Sequence, residues 1–175
     1  DTAVEVVTLS QRLLSEGAEA LVLDLRGNVG GYFPASVDLA KELLSQDQVI
    51  VSVSDRQKEK TLYKTDQTGT LPSIPLALLV DKNTASAAEV LTAALQENGR
   101  AQVVGEKTFG KGLVQTIAKL QDGSALVVTV AQYQTPLNNN INKVGINPDI
   151  ALKCSKTDDF LCVPKDAFIS RVPAL

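Results

Sequence analysis

The sequence of 175 residues contains no histidine, and this absence restricts the chemistry open to the chain. Histidine is the usual proton acceptor beside a nucleophilic serine or cysteine, and it is also the commonest metal ligand. A serine nucleophile would therefore need a lysine as its base, which is a known variant of the catalytic triad. Two cysteines without a histidine cannot complete a standard zinc site, so we expect neither a metal nor a cofactor.

Methionine is absent too, even at the first position, and a helical pattern is already under way from Asp1. We therefore interpret the chain as a fragment or processed product without its amino-terminal part, where a targeting peptide would lie. No apolar run approaches the length of a membrane span. The longest one, residues 74–80, has the length of a buried strand.

Neither sign of charge dominates, because 17 basic and 20 acidic residues are interspersed and the net charge is −3. Without a basic stripe, nucleic acids and anionic membranes are poor candidates as partners. With 44% apolar residues, the chain is long enough to bury one core, and we expect a single domain.

Only two cysteines are present, Cys154 and Cys162, both near the carboxyl end. They close a short disulfide loop if the compartment is oxidising, and otherwise they stay as two thiols. The sequence leaves both alternatives open. A catalytic cysteine is not expected, because no histidine is available as its base.

Helical and strand patterns alternate along most of the chain. Helices are predicted at 4–15, 34–44 and 84–98, and strands at 20–25, 49–53, 62–64, 74–80, 102–104, 113–120 and 125–133. The strand at 20–25 is apolar enough to be buried on both faces. Asp122-Gly123 predicts an antiparallel hairpin, and the chain beyond Pro136 is predicted to be mostly loop. This order predicts an α/β fold with a mixed sheet.

Ser86 is the candidate nucleophile, since it lies where a buried strand passes into the third predicted helix. In the first helical turn, free backbone N–H groups and the helix dipole favour developing negative charge, so the Ala87 N–H is a natural oxyanion donor. The competing interpretation is a capping box in which Ser86 and Glu89 only begin the helix. The local pattern favours this cap, although Asn83 and Thr84 are equally good caps and come earlier.

Lys111, which stands between two glycines, is the candidate base. The glycines allow a sharp turn and the close approach of another segment. A base must be uncharged near neutral pH, whereas a free lysine side chain titrates near pH 10.4. We expect burial beside Phe109, Leu113 and Val114 to favour the neutral amine. The alternative is an exposed lysine in a flexible turn.

Gln115 is a candidate partner for this lysine. If the chain is extended from Lys111 onward, positions 111, 113 and 115 face the same side. The carbonyl oxygen of Gln115 would then accept a hydrogen bond from the lysine amine and orient it. The same alternation would also place Gln115 on a solvated strand face, so both interpretations stay open.

A glycine-rich loop, Arg26-Gly27-Asn28-Val29-Gly30-Gly31, follows the first predicted strand. Its glycines do not match the G-x-G-x-x-G spacing of dinucleotide sites. A glycine-supported turn does present backbone N–H groups to an anion, and Gly30 or Gly31 would then give the second oxyanion donor. The alternative is an ordinary strand–helix turn.

The order of five segments is distinctive: LDLRGNVGG (23–31), NTASAAE (83–89), GEKTFGKGLVQT (105–116), DGSA with AQYQTP (122–136) and INKVGINPD (141–149). Together they resemble the carboxyl-terminal processing peptidases, also called tail-specific proteases. The YQTP and INK segments are most similar to the chloroplast and cyanobacterial branch. That branch trims the carboxyl-terminal extension of the photosystem II reaction-centre precursor in the thylakoid lumen.

The resemblance implies a spiral α/β fold like that of crotonase and caseinolytic protease, with 1–152 as catalytic core and 153–175 as carboxyl-terminal tail. It implies a serine endopeptidase that binds the tail of a protein substrate, membrane-associated substrates included, in the thylakoid lumen or alternatively the periplasm. Its members usually carry a PDZ domain, which this sequence lacks. Position by position, it assigns Ser86 as nucleophile, Lys111 as general base, Gln115 as orienting partner, and Ala87 with Gly30 or Gly31 as oxyanion hole.

A second function class shares this fold. The repeats of interphotoreceptor retinoid-binding protein are similar and bind apolar ligands without cutting peptides. Retention of both Ser86 and Lys111 argues against a binding module, because an apolar pocket has no use for that pair.

Overall fold

The computed structural model describes residues 1–153 and 162–168 of the chain. Three α-helices lie in this part: α1 (Thr2–Ser15), α2 (Phe33–Leu43) and α3 (Ala87–Glu97). Its strands are β1 (Leu21–Asp24), β2 (Val49–Asp55), β3 (Lys60–Lys64), β4 (Leu76–Val80), β5 (Gln102–Gly105), β6 (Leu113–Lys119), β7 (Ala125–Gln134) and β8 (Ile150–Ala151). A short 3-10 helix spans Lys165–Ala167.

The strands form two sheets of four. One sheet is parallel, in the order β1-β4-β5-β8, and the other is antiparallel, in the order β3-β2-β7-β6. Helix α3 joins β4 to β5, the crossover from β1 to β4 contains α2 and the hairpin β2-β3, and the hairpin β6-β7 lies between β5 and β8. The predicted α/β class is confirmed, with the parallel and the antiparallel pairings carried by separate sheets.

The core lies between the two sheets and the helices α2 and α3. Strand β4 is buried at every position, as its unbroken apolar sequence predicted. The largest side chains with almost no exposed surface include Leu43, Leu44, Ile50, Leu78 and Leu95. The prediction that β1 is buried on both faces, by contrast, is wrong. Among the described residues β1 pairs only with β4, and as an edge strand it stays half-buried with Asp24 exposed.

Strand β8 is an element that the sequence prediction missed, because two residues are too short to show a period. It depends on pairing with β5, whose partner residues lie 46 positions earlier in the chain. The Asp149 N–H donates to the Val103 carbonyl oxygen at 2.8 Å, and the Val103 N–H donates to Asp149 Oδ2 at 2.8 Å. Tertiary contacts therefore create this strand.

The parallel sheet brings together the loops that follow β1, β4 and β5. Paired residues at the ends of these strands are Asp24 with Leu79 and Val80 with Gly105, so their carboxyl ends lie along one edge. Such an edge is where ligands bind in many α/β folds. The glycine-rich loop, the turn that carries Ser86 and the loop that carries Lys111 all start there.

Near the carboxyl end, Cys162 is disulfide-bonded. Of the two states left open for this residue, the disulfide is the one that the structure has. Cys154 and the tail residues 154–161 and 169–175 lie outside the described residues.

Candidate active site

The turn that carries Ser86 lies between the two other loops and is bonded to both. The Ala85 N–H donates to the carbonyl oxygen of Asn28 in the glycine-rich loop at 2.9 Å. On the other side, the Phe109 N–H donates to the Thr84 carbonyl oxygen at 3.0 Å. Three segments that are far apart in sequence are thus joined by backbone hydrogen bonds.

Ser86 itself has an unusual backbone, with φ at 57° and ψ at −122°. A residue other than glycine in such a region costs about 1–3 kcal/mol and persists where its surroundings hold it. Ser86 is the N-cap of α3 and forms a capping box with Glu89, whose Oε2 accepts from the Ser86 N–H at 2.9 Å. The cap interpretation is therefore confirmed. It does not exclude chemistry, because the same sharp turn leaves Ser86 half-buried at the mouth of the site.

The glycine-rich loop packs directly onto this turn at Gly30. A Cβ on Gly30 would lie 2.6 Å from the Ala85 carbonyl oxygen and 2.8 Å from the Ala87 nitrogen, and its φ is +86°. Only glycine therefore fits this position. The Gly30 N–H donates to Asn28 Oδ1 at 2.9 Å, whereas the N–H groups of Gly31 and Ala87 have no acceptor among the described residues.

An ion pair fixes the start of the same loop. Arg26 is only 7% exposed, and its Nη2 and Nε lie 2.8 and 3.0 Å from the two carboxylate oxygens of Asp24. A two-pronged pair of this kind restrains both side chains and the chain between them. The loop therefore leaves β1 in a set direction.

Asp81 connects the glycine-rich loop to the turn after β4. Its Oδ1 accepts hydrogen bonds from the N–H groups of Gly27 at 2.8 Å, Asn83 at 2.9 Å and Thr84 at 3.0 Å. Burial raises the pKa of Asp81, but these bonds and those from the Asn83 and Thr84 side chains outweigh it, so the pKa lies below its usual range. The carboxylate stabilises both loops in its charged form.

Replacement of this carboxylate gives a testable prediction. We expect Asp81→Asn to lower the free energy of unfolding at pH 7 by about 1 kcal/mol, at the low end for a charged acceptor because water screens the site. A lowered folded-state pKa contributes stability above the unfolded pKa, and this is lost as pH falls through the folded value. Urea unfolding should therefore show the wild type and the variant converging below about pH 4. A constant difference down to pH 3 would contradict this linkage.

The loop that carries Lys111 packs closely against residues 142–145. A Cβ on Gly112 would lie 2.4 Å from the Asn142 nitrogen, and the Lys143 N–H donates to the Gly110 carbonyl oxygen at 2.8 Å. The expected close approach of another segment at these glycines is confirmed.

The expected burial of Lys111 by its neighbours, however, is wrong. Lys111 is exposed, Phe109 is 66% exposed, and Leu113 and Val114 are only half-buried. The reason is that the Thr108 hydroxyl and the N–H groups of Gly110 and Lys111 face inward to Glu89, so the side chains at 109 and 111 lie on the solvent side.

The prediction that positions 111, 113 and 115 face the same side requires an extended chain from Lys111 onward, and the structure does not have one. Strand β6 begins at Leu113, and Lys111 lies before it in a loop where Gly110 has a φ of +88°. A register shift follows between Val114 and Gln115. Gln115 is exposed, and its side chain has no hydrogen-bond partner in the described part of the chain.

Glu89 is the site residue whose importance the sequence did not indicate beyond its place in a capping box. It is 0% exposed, and both of its carboxylate oxygens accept two hydrogen bonds. Oε2 accepts from the N–H groups of Ser86 at 2.9 Å and Lys111 at 2.8 Å. Oε1 accepts from the Thr108 hydroxyl at 2.5 Å and the Gly110 N–H at 2.7 Å. Three of these donors are about 20 positions away, so no local pattern shows them.

A cavity of about 280 Å³ opens beside the free N–H groups of Gly31 and Ala87. Its apolar lining comes from α1, β1, α2 and α3 and includes Val6, Leu23, Leu39 and Leu91. In the described ranges no group of His, Cys, Asp and Glu side chains is arranged to hold a metal ion. The helices of that same part are too short or too polar to cross a membrane.

Comparisons with known proteins point to one family of peptidases. Residues 1–152 match the model of peptidase family S41. The chain is 45% identical over 140 residues to a chloroplastic C-terminal processing peptidase of Tetradesmus obliquus, covering 80% of this chain and 30% of that relative. It is also 45% identical over 145 residues to a carboxyl-terminal-processing protease of Picosynechococcus, covering 83% and 34%.

A solved structure is similar as well. The photosystem II D1 C-terminal processing protease superimposes with a TM-score of 0.78 at 43% identity, covering 87% of this chain and 39% of that one. The chain spans about a third of the length of the curated relatives that it matches. Because the family model covers most of the chain and the relatives share this fold, the chain belongs to peptidase family S41.

Proposed function

We propose that residues 1–152 are the catalytic core of a serine endopeptidase in which Ser86 is the nucleophile and Lys111 the general base. The observation that carries this proposal is the meeting of three loops at one sheet edge. The Ser86 turn is bonded to the glycine-rich loop through Ala85 and to the Lys111 loop through Thr84. A histidine-free chain that gathers a serine, a lysine and free N–H groups in one place suits acyl transfer.

The reaction follows from these groups. Ser86 Oγ forms a bond to the scissile carbonyl carbon while its proton passes to the uncharged Lys111 Nζ. The N–H groups of Ala87 and Gly31 stabilise the oxyanion, at the positive end of α3. The carbon–nitrogen bond then breaks, and the proton on Nζ passes to the leaving amine. Water, deprotonated by the same amine, attacks the acyl ester, and Ser86 Oγ recovers its proton as the ester bond breaks.

Within the oxyanion hole, Gly30 and Gly31 have separate roles. Gly30 is the contact that lets the glycine-rich loop reach the Ala87 N–H, because no side chain fits there. Its own N–H already donates to Asn28. The N–H of Gly31 is open, so Gly31 is the second donor.

The substrate completes the environment of the base. Lys111 is exposed, and an uncharged amine is favoured where water is excluded. An extended substrate segment that lies across the loop provides this cover. Strand β6 begins two residues after Lys111 and is an edge of its sheet among the described residues, so it can pair with such a segment by β-augmentation. Gln115, on β6, then contacts both the substrate and the lysine amine.

The apolar cavity beside Ala87 and Gly31 receives the side chain that precedes the scissile bond. The substrate is the carboxyl-terminal tail of a protein. By analogy with the relatives' names, a photosystem II reaction-centre precursor is the first candidate, with cleavage in the thylakoid lumen. A periplasmic enzyme acting on other protein tails is the alternative location.

The same cavity is the one observation that favours the second function class, a module that binds apolar ligands such as retinoids. A serine-directed peptidyl phosphonate separates the two. We expect this probe to label Ser86 of the complete protein at mildly alkaline pH, with the modified residue identified by peptide mass spectrometry. A stoichiometric retinoid complex without any labelling of Ser86 would instead establish the binding module.

A further inference from the structure

We propose that Glu89 is a positioning residue that sets the Ser86 turn and the Lys111 loop in register with each other. This inference rests on the proposed function, because it assigns a task to Glu89 within the serine–lysine site. It goes further by naming a third side chain on which the alignment of the pair depends.

The geometry is specific to the two reacting residues. One oxygen of Glu89, Oε2, accepts from the backbone N–H of Ser86 at 2.9 Å and from that of Lys111 at 2.8 Å. The two backbone nitrogens are therefore close to each other, because both donate to the same oxygen atom. No other described side chain is hydrogen-bonded to the backbone of both residues. A shift of either loop must break a bond to the same atom.

The second oxygen extends the clamp along the lysine loop. Oε1 accepts from the Thr108 hydroxyl and the Gly110 N–H, and Thr108 Oγ1 in turn accepts from the Ile146 N–H at 2.7 Å. The loop is thereby bonded both to Glu89 on α3 and to the segment that contains Ile146. Lys111 projects from a rigid support although its side chain is exposed.

A purely structural role as a helix cap would need fewer hydrogen bonds than Glu89 makes. A helix of eleven residues is capped by one carboxylate bond to the N-cap N–H, which Glu89 already makes with Ser86. The other three bonds serve no helix end. A fully buried carboxylate is costly unless every oxygen is bonded, and here all of its partners belong to the two catalytic loops.

The test is a double-mutant cycle on the complete protein. Glu89→Gln keeps the shape but removes the charge and places an amide donor against an N–H or hydroxyl donor. Rates of Ser86 labelling by the peptidyl phosphonate are measured for the wild type, Glu89→Gln, Lys111→Ala and the double variant, together with kcat and KM for a peptide substrate. Thr92→Val is the matched control, because Thr92 is a buried polar residue one turn further along α3 whose hydroxyl, among the described residues, bonds only Ala88.

We expect Glu89→Gln to slow the labelling of Ser86 by about tenfold or more, and to lower kcat for the peptide substrate rather than raise KM. Thr92→Val should stay within about twofold of the wild type in both measurements. The labelling rate of the double variant should fall much less than the product of the single effects, because the alignment of residue 111 has no effect on the rate once the lysine side chain is removed. Labelling at the wild-type rate in Glu89→Gln, or fully multiplicative effects, would overturn the inference alone. Wild-type labelling in Lys111→Ala would overturn the proposed pair, and this inference with it.

Discussion

Ser86→Ala and Lys111→Ala are each expected to lower peptide cleavage by the complete protein by about 10⁴-fold or more, without loss of folding. Members of such a unit act together, so removal of either one removes most of the acceleration. Neither substitution should unfold the chain, because Ser86 keeps its backbone bond to Glu89 and the Lys111 side chain is exposed. Cleavage is followed by chromatography of the products, and folding by circular dichroism and thermal unfolding.

Two further lysine variants separate charge from basicity. Lys111→Arg keeps a positive charge but cannot become neutral, so we expect it to be as inactive as Lys111→Ala. Lys107→Ala removes an exposed positive charge from the same loop and should cleave within about twofold of the wild type. Full activity of Lys111→Arg would show that the site uses the cation and would refute the lysine base.

Gly30→Ala is expected to have the second largest effect, on both stability and activity. The added methyl group would lie 2.6 Å from the Ala85 carbonyl oxygen and 2.9 Å from Ser86 Cβ, distances at which something must move. The positive φ alone costs about 1–3 kcal/mol, and overpacking adds a similar amount. Displacement of the loop also separates the two oxyanion donors, so we expect kcat to fall by at least about 100-fold.

Gly31→Ala is the matched control for this prediction. A Cβ on Gly31 would have no neighbour within 4 Å, and the N–H that we propose as a donor is retained. We therefore expect stability within about 0.5 kcal/mol of the wild type, and the comparison rests on stability because Gly31 also lines the proposed substrate cavity. Urea unfolding and initial rates measure both variants side by side. Equal damage by the two substitutions would mean that chain flexibility, rather than the close contact at Gly30, is what the loop requires.

The positions of most elements followed from local patterns. The apolar run before Val80, the alanine-rich helix after it and the Asp122-Gly123 turn all have periods or turn residues that act over a few positions. For the same reason Ser86 and Lys111 were identifiable as candidates, one at a strand–helix junction and one between glycines. These features depend on neighbours in sequence, and the structure has them where the sequence predicts them.

The burial of individual side chains could not be predicted from local sequence patterns. Strand β1 has the composition of an interior strand, yet in the described part of the chain it lies at a sheet edge. Phe109 is apolar but 66% exposed, because the loop turns its backbone inward. Such outcomes depend on which segment covers which face, and this is settled only when distant parts of the chain pack together.

By itself, then, the amino-acid order determined the helices, the hairpins and the residue types of the proposed site, and the absence of histidine singled out lysine as the candidate base. Only the tertiary structure decided that Glu89 bonds both Ser86 and Lys111, and that Gly30 lies against the Ala87 nitrogen. The physical reason is the distance along the chain over which each kind of interaction acts. Helix periods and turns act over a few residues, whereas a buried carboxylate collects donors from segments about 20 positions apart that only the folded chain brings together.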